Sequence, residues 1–472
     1  MPFRDECGVF GISPALEASR QTYLGLYALQ HRGQEAAGIC SRSKEDGGMA
    51  LHLHKDQGYV ADIFDEATLD SLPGDAAIGH TRYSTTGGNV ASAAHPFMIH
   101  GRFGQLALCH NGNLTNTGKL REKLLAQGHA FTSPSDSEVI LALINRAEAD
   151  TLEGAVVEAL RQCEGAFSLL ILTEDQLMAA RDPHGFRPLA MGRLGEGIVF
   201  SSETCAFDLV GAEYVRDVEP GELVMCGQAG CRSVFPLPRV QGRPCVFEHV
   251  YFARPDSLVF TKSVMHTRRE MGRALARRHP VAADIVVPVP DSGVAAALGY
   301  AEESGIPFEF GMIRNHYVGR TFIEPKQSIR SFGVKVKLNP VRSLVAGKRV
   351  VLVDDSIVRG TTSKKIVQMM RSAGAKEVHL RISAPPTTHS CFYGIDTPTR
   401  EQLIASHQSV EQIRAFVEAD SLGYLSLEDL QAAVGDELKG GGFCYACFTG
   451  EYPVDAEGAR PLAPGITPFT QP

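Results

Sequence analysis

The run Val350–Ser363, VVLVDDSIVRGTTS, constrains this chain more than any other stretch. An apolar strand leads into two adjacent carboxylates, Asp354 and Asp355, then into a Gly360-Thr361-Thr362 loop and the helical period of Thr362–Gly374. A short, near-continuous apolar strand that feeds a helix belongs to a parallel sheet buried on both faces. The pattern recurs: Val286–Val289, Phe308–Ile313 and Val378–Ile382 read as further buried strands, and Val294–Gly305 as a helix. The second half is therefore expected to be an α/β domain with a parallel sheet. Loop amides and hydroxyls at a helix N-terminus make a phosphate cradle, here supplied by Ser356, Arg359, Gly360, Thr361 and Thr362. Two acids beside such a cradle would repel the ligand unless they grip sugar hydroxyls. They can do so directly or through a hydrated divalent metal, and can stabilise positive charge developing at an anomeric carbon.

Two other stretches serve the same cradle. Pro288–Gly293 is a tight strand-to-helix turn whose Asp291, Ser292 and Gly293 can offer backbone amides to a pyrophosphate. Gly311–Pro340 carries Arg314, Arg320, Lys326, Arg330, Lys335 and Lys337 against the single acid Glu324. Because Tyr317–Ile323 mixes charge with apolar and glycine residues, the stretch reads as a lid that closes on an anion and excludes water.

The first half has a different grammar. Short alternating or apolar runs bounded by Gly and Asp, at Cys7–Ile12, Met49–Asp56, Ala76–Ser84, Leu106–Asn113, Phe167–Thr173, Gly197–Ser202 and Gly221–Cys226, read as strands. Three helical stretches interrupt them, around Ala18–Leu29, Thr117–Gln127 and Ser137–Ala149, the last opened by a capping Ser-Asp-Ser cluster. The pattern predicts an α+β domain of stacked antiparallel sheets between helices. The expected division is residues 1–6 as a leader, 7–240, 241–450 with a C-terminal helical region, and 451–472 as an extended tail. The boundary falls in the Pro-rich stretch Phe235–Pro244, and Ser409 with Gln412 forms a capping box after Pro385-Pro386.

This first half holds the parts of an amide-cleaving site. Cys7 is a candidate nucleophile. A thiol of pKa about 8.5 needs a base, and a free α-amine of pKa about 7.7–8.0 would supply one if Cys7 were the first residue. No Gly-x-Cys-x-Gly elbow for a histidine-based design occurs. Asn111-Gly112 offers a side-chain amide and a backbone N–H to an oxyanion. Arg82 can clamp a carboxylate in a two-pronged bond, or form a surface ion pair; Asp136 can pair with an ammonium, or cap a helix.

A net charge of −8 argues against coating nucleic acid, and no apolar run of membrane-spanning length appears, so the expected setting is the cytoplasm. Of eleven cysteines, Cys40, Cys109, Cys163, Cys205, Cys226 and Cys231 read as inert buried thiols. Cys245, Cys391, Cys444 and Cys447 could hold zinc or an iron–sulfur cluster, or act as a redox dithiol.

Cys7–Ile12, Leu29–Glu35, Gly79–Ser84 and His110–Leu114 resemble the glutaminase domain of N-terminal-nucleophile amidotransferases, in which the cysteine is residue one of the mature chain. His31, His80, His95 and His110 are then structural. Val350–Ser363 resembles the phosphoribosylpyrophosphate motif of type I phosphoribosyltransferases. With Glu248–Ser257, the chain as a whole is similar to the glutamine phosphoribosylpyrophosphate amidotransferase family, in its propeptide and iron–sulfur branch. The resemblance implies cleavage of glutamine at Cys7 and transfer of ammonia to phosphoribosylpyrophosphate, giving 5-phosphoribosylamine, glutamate and pyrophosphate in the first step of purine synthesis. It further implies one Mg2+ per subunit at Ser292, Asp354 and Asp355. It also implies one 4Fe-4S cluster per subunit on Cys245, Cys391, Cys444 and Cys447, contacts from Tyr317 and Arg320, purine nucleotide inhibitors and a homotetramer. His316 stands where the family's lid commonly has arginine. Hexosamine or asparagine synthases share such a front half, but their isomerase-like or ATP-cleaving motifs are absent from the second half. A nucleotide-sensing regulator would have a degraded nucleophile, and here it is intact.

Overall fold

Cys7 leads directly into the strand Gly8–Ser13, the middle strand of a seven-stranded sheet. Its neighbours Ala76–Arg82 and Gly197–Ser201 both pair with it antiparallel. Alternation decides which way its side chains face: Phe10 and Ile12 pack under helices, while Val9 faces a second sheet. That second sheet has six strands, with Gly104–Leu114 lying between Phe97–Gly101 and Gly165–Thr173. Val9, Ile78, Ala107, Leu170 and Phe200 fill the space between the sheets. Helices Ala18–Ala28 and Cys205–Val210 cover the outer face of the first sheet. Helices Thr117–Ala126, Asp136–Arg146 and Leu152–Leu160 cover that of the second. The expected stacked antiparallel sheets between helices are the observed fold. These are features of a computed structural model that describes residues 7–83, 91–315, 337–436 and 442–455.

Two expectations for this half need correction. The helices Leu152–Leu160 and Cys205–Val210 were not anticipated; the first is capped by Thr151, whose hydroxyl accepts the Gly154 N–H. Cys226 and Cys231 are not inert free thiols: the hairpin register sets them directly opposite each other, and they are joined as a disulfide.

The C-terminal half is built on a four-stranded parallel sheet in the order Ile285–Pro288, Arg349–Asp354, Glu377–Ile382, Ser421–Tyr424. Val286, Val351 and Val353 pack on helices Val264–Arg278 and Val294–Ser304. Ile285, Val287, Val350 and Leu352 pack on Thr361–Ser372 and Val410–Val417. Burial on both faces accounts for the unbroken apolar runs. The Ser409–Gln412 capping box is formed as expected. Phe308–Ile313, however, is not a strand of this sheet. Phe308 makes one parallel bridge to Val286, and Met312–Arg314 then pairs antiparallel with Leu338–Pro340. That pair forms the stem of the basic stretch, whose residues 316–336 lie outside the described ones, as do the leader and residues 456–472 of the tail. No described helix is long and apolar enough to cross a membrane.

The halves meet at four charged side chains buried to 1% exposure or less: Arg32, Arg187, Glu203 and Glu248. Arg32 Nη1 donates to Glu203 at 2.5 Å, Arg32 Nη2 to Glu248 at 2.7 Å, and Arg187 Nη2 to Glu248 at 2.8 Å. Glu203 also accepts from the Arg254 backbone N–H at 2.9 Å and from the Ser257 hydroxyl at 2.8 Å, both in the C-terminal half. Removing one member of a buried ion network is costly because the opposite charge stays behind. Glu248→Ala is therefore expected to lower stability by roughly 3–5 kcal/mol in chemical denaturation; a loss under about 1 kcal/mol, the value of an exposed pair, would show that the network is not what joins the halves.

Candidate functional site

Two sites flank this junction. At the first, the Cys7 thiol lies 3.6 Å from the Tyr83 carbonyl, and the Cys7 carbonyl accepts from Arg32 Nε at 3.1 Å. Burial pushes the thiol above its ordinary range; the Tyr83 carbonyl contact and the charges of Arg82 and Arg32 act against that, while Asp136 adds to it. Arg82, Asp136 and Arg32 are thus the charged groups whose fields act on the sulfur. Asn111 is tied to the same strand through Ser202, whose hydroxyl accepts the Val9 N–H at 3.0 Å and lies 3.5 Å from Asn111 Nδ2.

The direction of the Gly112 N–H follows from the sheet. Phe167, opposite Gly112, gives both its N–H and its carbonyl to Asp182. Gly112 therefore turns its own N–H away from that neighbour. On that side the strand Phe97–Gly101 pairs only as far as Leu108. Among the described residues, the Gly112 N–H lies past the last ladder partner on that side. At φ +148°, with the Ala166 carbonyl 2.1 Å from where a Cβ would stand, only glycine fits.

Asp136 begins the helix Asp136–Arg146 and accepts the Leu114 N–H at 3.0 Å. His110 Nδ1 stands 3.5 Å from its other oxygen and 3.1 Å from Ser137 Oγ. Burial acts against both charges, yet the pairing outweighs it: His110 is raised, by Asp136 and the Ala166 carbonyl, and Asp136 is lowered, by His110 and by backbone N–H groups. His80 and His95 stack at 4.3 Å beside them, and burial drives His80 down to about 3. All three bond to partners within the fold, His80 to the His110 carbonyl, His95 to Ser137 and His110 to Asp136.

At the second site a cleft of about 470 Å3 opens at the C-terminal ends of the parallel strands, where open α/β sheets hold ligands. Asp291, Ser292, Asp354, Asp355, Ser356, Arg359, Gly360, Thr361 and Thr362 all line it. Ser292 Oγ donates to Asp355 at 2.7 Å, and Ser356 Oγ to the other Asp355 oxygen at 2.5 Å. Burial, then the adjacent Asp355 charge, push the Asp354 carboxyl well above its ordinary range. Gly293 is the exception. Its N–H is spent on the Val289 carbonyl, and a Cβ there would meet the Val353 carbonyl at 2.4 Å, so it lets helix and strand approach instead of binding. Tyr317, Arg320 and His316 lie outside the described residues. Among the wall residues that sequence reasoning missed are His31 and Gln34 from the N-terminal half, and Tyr251, Arg254 and Arg268. Burial lowers Arg268 to about 10 against the pull of Asp355, while the His249 and Ala253 carbonyls hold its guanidinium at 2.7 and 2.9 Å.

Cys245, Cys391, Cys444 and Cys447 gather at the junction. A bridge joins Cys245 to Cys444, and Phe247, Ala446 and Tyr393 turn backbone N–H groups toward the sulfurs of Cys245, Cys444 and Cys391, the last at 3.3 Å. Burial raises all four thiols, Cys245 to about 11; the charge of Cys391 raises Cys245 further, those of Cys245 and Cys391 raise Cys444, and those of all three raise Cys447.

A cysteine at the head of the central strand of one half, and an acid pair beside a Gly-Thr-Thr loop in the other, is the combination of a glutamine-dependent phosphoribosyltransferase. The glutamine amidotransferase domain family matches residues 80–208, and the phosphoribosyl transferase domain family residues 269–389. Amidophosphoribosyltransferase 1, chloroplastic, of Arabidopsis thaliana is 52% identical over 452 residues, which is 96% of this chain and 79% of that one. Amidophosphoribosyltransferase of Bacillus subtilis is 48% identical over 454 residues, 96% of this chain and 94% of that one. The solved glutamine phosphoribosylpyrophosphate amidotransferase from B. subtilis, complexed with ADP and GMP, superposes with a TM-score of 0.90 at 48% identity, covering 95% and 98% of the two chains. The chain belongs to the amidophosphoribosyltransferase family, whose reaction, transfer of glutamine nitrogen to phosphoribosylpyrophosphate, is the first step of purine synthesis.

The His110–Asp136 pair gives a pH test. A raised histidine stabilises below its ordinary pKa of about 6.5 and loses that contribution as pH rises through its folded value; a depressed aspartate does so above about 3.9 and loses it as pH falls. The stability advantage of the native protein over His110→Gln is expected to be greatest between about pH 4 and 6.5 and to shrink above it. An advantage that grew with pH would mean the histidine is neutral.

Proposed function

We propose that Met1–Glu6 is removed and that the freed α-amine of Cys7 takes the thiol proton. The thiolate then attacks the glutamine amide carbon, and Asn111 Nδ2 and the Gly112 N–H stabilise the oxyanion. Collapse breaks the C–N bond, with the proton passing to the leaving nitrogen. Water then hydrolyses the Cys7 thioester to glutamate. Arg82 holds the glutamine carboxylate and Asp136 its ammonium. The observation that supports this reading is the Ser202 hydroxyl, which links Asn111 to the strand that Cys7 opens, with the charges of Arg82 and Asp136 both acting on the thiol. Ammonia crosses to the second site and bonds to C1 of phosphoribosylpyrophosphate as pyrophosphate leaves. Ser356, Arg359, Gly360, Thr361 and Thr362 bind the 5-phosphate, Asp354 and Asp355 the ribose hydroxyls, and Asp291 and Ser292 the pyrophosphate, with Tyr317 and Arg320 as lid contacts.

Ser292, Asp354 and Asp355 suit Mg2+, which takes one or two carboxylates and completes its shell with substrate oxygens and water; it would neutralise pyrophosphate charge. Three His, Cys, Asp or Glu ligands converging on one ion are not needed for that, and none do so among the described residues. The four junction thiols fit a 4Fe-4S cluster: they are buried, mutually repelling as thiolates, and met by N–H groups. A cubane also spreads its ligands wider than one tetrahedral zinc ion. The cluster's contribution is structural cross-linking. Purine nucleotides are the expected inhibitors, since the B. subtilis relative was solved with ADP and GMP.

Cys7→Ala is expected to lose glutamine-dependent synthesis by roughly 10^3-fold or more while keeping synthesis from high ammonia; Asp354→Asn should lose synthesis from either source and keep basal glutamine hydrolysis. Equal loss of both activities in Cys7→Ala would sink the two-site scheme. The purified protein is expected to be brown, with absorbance near roughly 400 nm and about four irons per subunit, both abolished in Cys447→Ser. A colourless, zinc-containing protein would exclude the cluster.

A further inference from the structure

Gly112 is held from two sides. On one is the Ala166 carbonyl of its own sheet. On the other is Gly394, from the C-terminal half: a Cβ built there would stand 3.1 Å from Gly112 Cα and 3.2 Å from its carbonyl carbon, and φ at Gly394 is +108°. One residue along, Asn113 Nδ2 donates to the Phe392 carbonyl at 3.0 Å, across a gap of 279 residues in sequence. The segment making these contacts is itself rigidly set. The Cys391 N–H donates to Thr397 Oγ1 at 2.7 Å, and Tyr393 stacks on Phe186 at 4.2 Å and donates to the Val454 carbonyl at 2.6 Å. None of these contacts touches the phosphoribosyl cleft, so folding of that site alone does not account for them.

We propose that Phe392 and Gly394 are positioning residues for glutamine cleavage, forming the outer wall that fixes the Gly112 N–H of the oxyanion hole. The proposal rests on reading Asn111 and Gly112 as the oxyanion donors. A donor is effective only when it is already aimed at the place where charge develops, and a displacement of about 1 Å costs on the order of 10^2-fold. The N-terminal half supplies the donor strand, but Gly112 lies beyond its last ladder partner on the side of its N–H. The segment from the other half bears on Gly112 through Gly394 and on Asn113 through the Phe392 carbonyl, where that partner strand does not reach. Cys391 opens this wall, so whatever occupies the four-thiol site bears on the oxyanion hole through two residues of backbone.

The test uses the iron-loaded two-domain protein beginning at Cys7 and three variants. Gly394→Ala pushes a methyl against Gly112, and Asn113→Asp replaces the donor to the Phe392 carbonyl by an acceptor. Both are expected to lower kcat for glutamine-dependent synthesis by roughly 10- to 100-fold. KM for glutamine, ammonia-dependent synthesis and iron content should all stay within about twofold of the native protein. A merely structural role would move the last two along with kcat. The inference is overturned if both variants keep glutamine-dependent kcat, if the loss appears in KM, or if ammonia-dependent synthesis falls equally. Asn111→Ala separates the underlying reading: if it keeps full kcat, there is no oxyanion hole here and the wall fails with it. If Asn111→Ala is crippled while Gly394→Ala and Asn113→Asp are not, the hole stands and the wall alone fails.

Discussion

Arg32 is the side chain on which the two halves of this protein depend. One guanidinium holds the carbonyl of Cys7 with Nε and two carboxylates with its terminal nitrogens, one from each half. Desolvating such a group costs several kcal/mol, offset only when every donor finds a charged or strongly polar acceptor. Arg32 meets that condition with Glu203 and Glu248, and Arg187 shares Glu248. The geometry this enforces is specific. Glu248 opens the helical turn Glu248–Phe252, and Tyr251 to Pro255 beyond it form one wall of the phosphoribosyl cleft. Next to Arg32, His31 bonds Glu203 at 2.7 Å and lines the same cleft. The residues that set the Cys7 backbone are thus one bond removed from those that enclose the second substrate.

His31 and Gln34 of the first half line the phosphoribosyl cleft, and Phe392 and Gly394 of the second touch Asn113 and Gly112, so neither site is the property of one half. Such sharing suits an enzyme that must not release ammonia before its acceptor is in place.

Local chemistry was readable from sequence wherever neighbours in the chain are neighbours in the site. Val350–Ser363 announces strand, acids and cradle because all lie within one strand–loop–helix unit, and the stacked sheets follow from alternation in Gly8–Ser13 and Gly104–Leu114. The same reasoning failed where partners are distant. Arg32 reaches Glu203 and Glu248 across 171 and 216 residues, and a lone arginine in a polar run carries no sign of full burial. Arg268 reads as one more charge on a helix that carries several, yet it lines the cleft. Ser421–Tyr424 is too short, and too interrupted by Gly423, to read as a strand, whereas Phe308–Ile313 has a strand's composition but leaves the sheet at Gly311 to make the stem. Composition registers what a segment can bury; pairing is decided by what lies beside it.

Everything in the proposed chemistry turns on the proton of Cys7. Its thiol sits in surroundings that resist ionisation, and the nearby histidines are committed elsewhere: His110 to Asp136, His31 to Glu203, and His80 to the His110 carbonyl at 2.9 Å. The proposed base is therefore its own amine, which would be free only after cleavage before Cys7. The intact mass of catalytically active protein tests this most directly. A chain beginning at Cys7 is the predicted result, and full glutamine-dependent activity from a population still carrying Met1–Glu6 would contradict it.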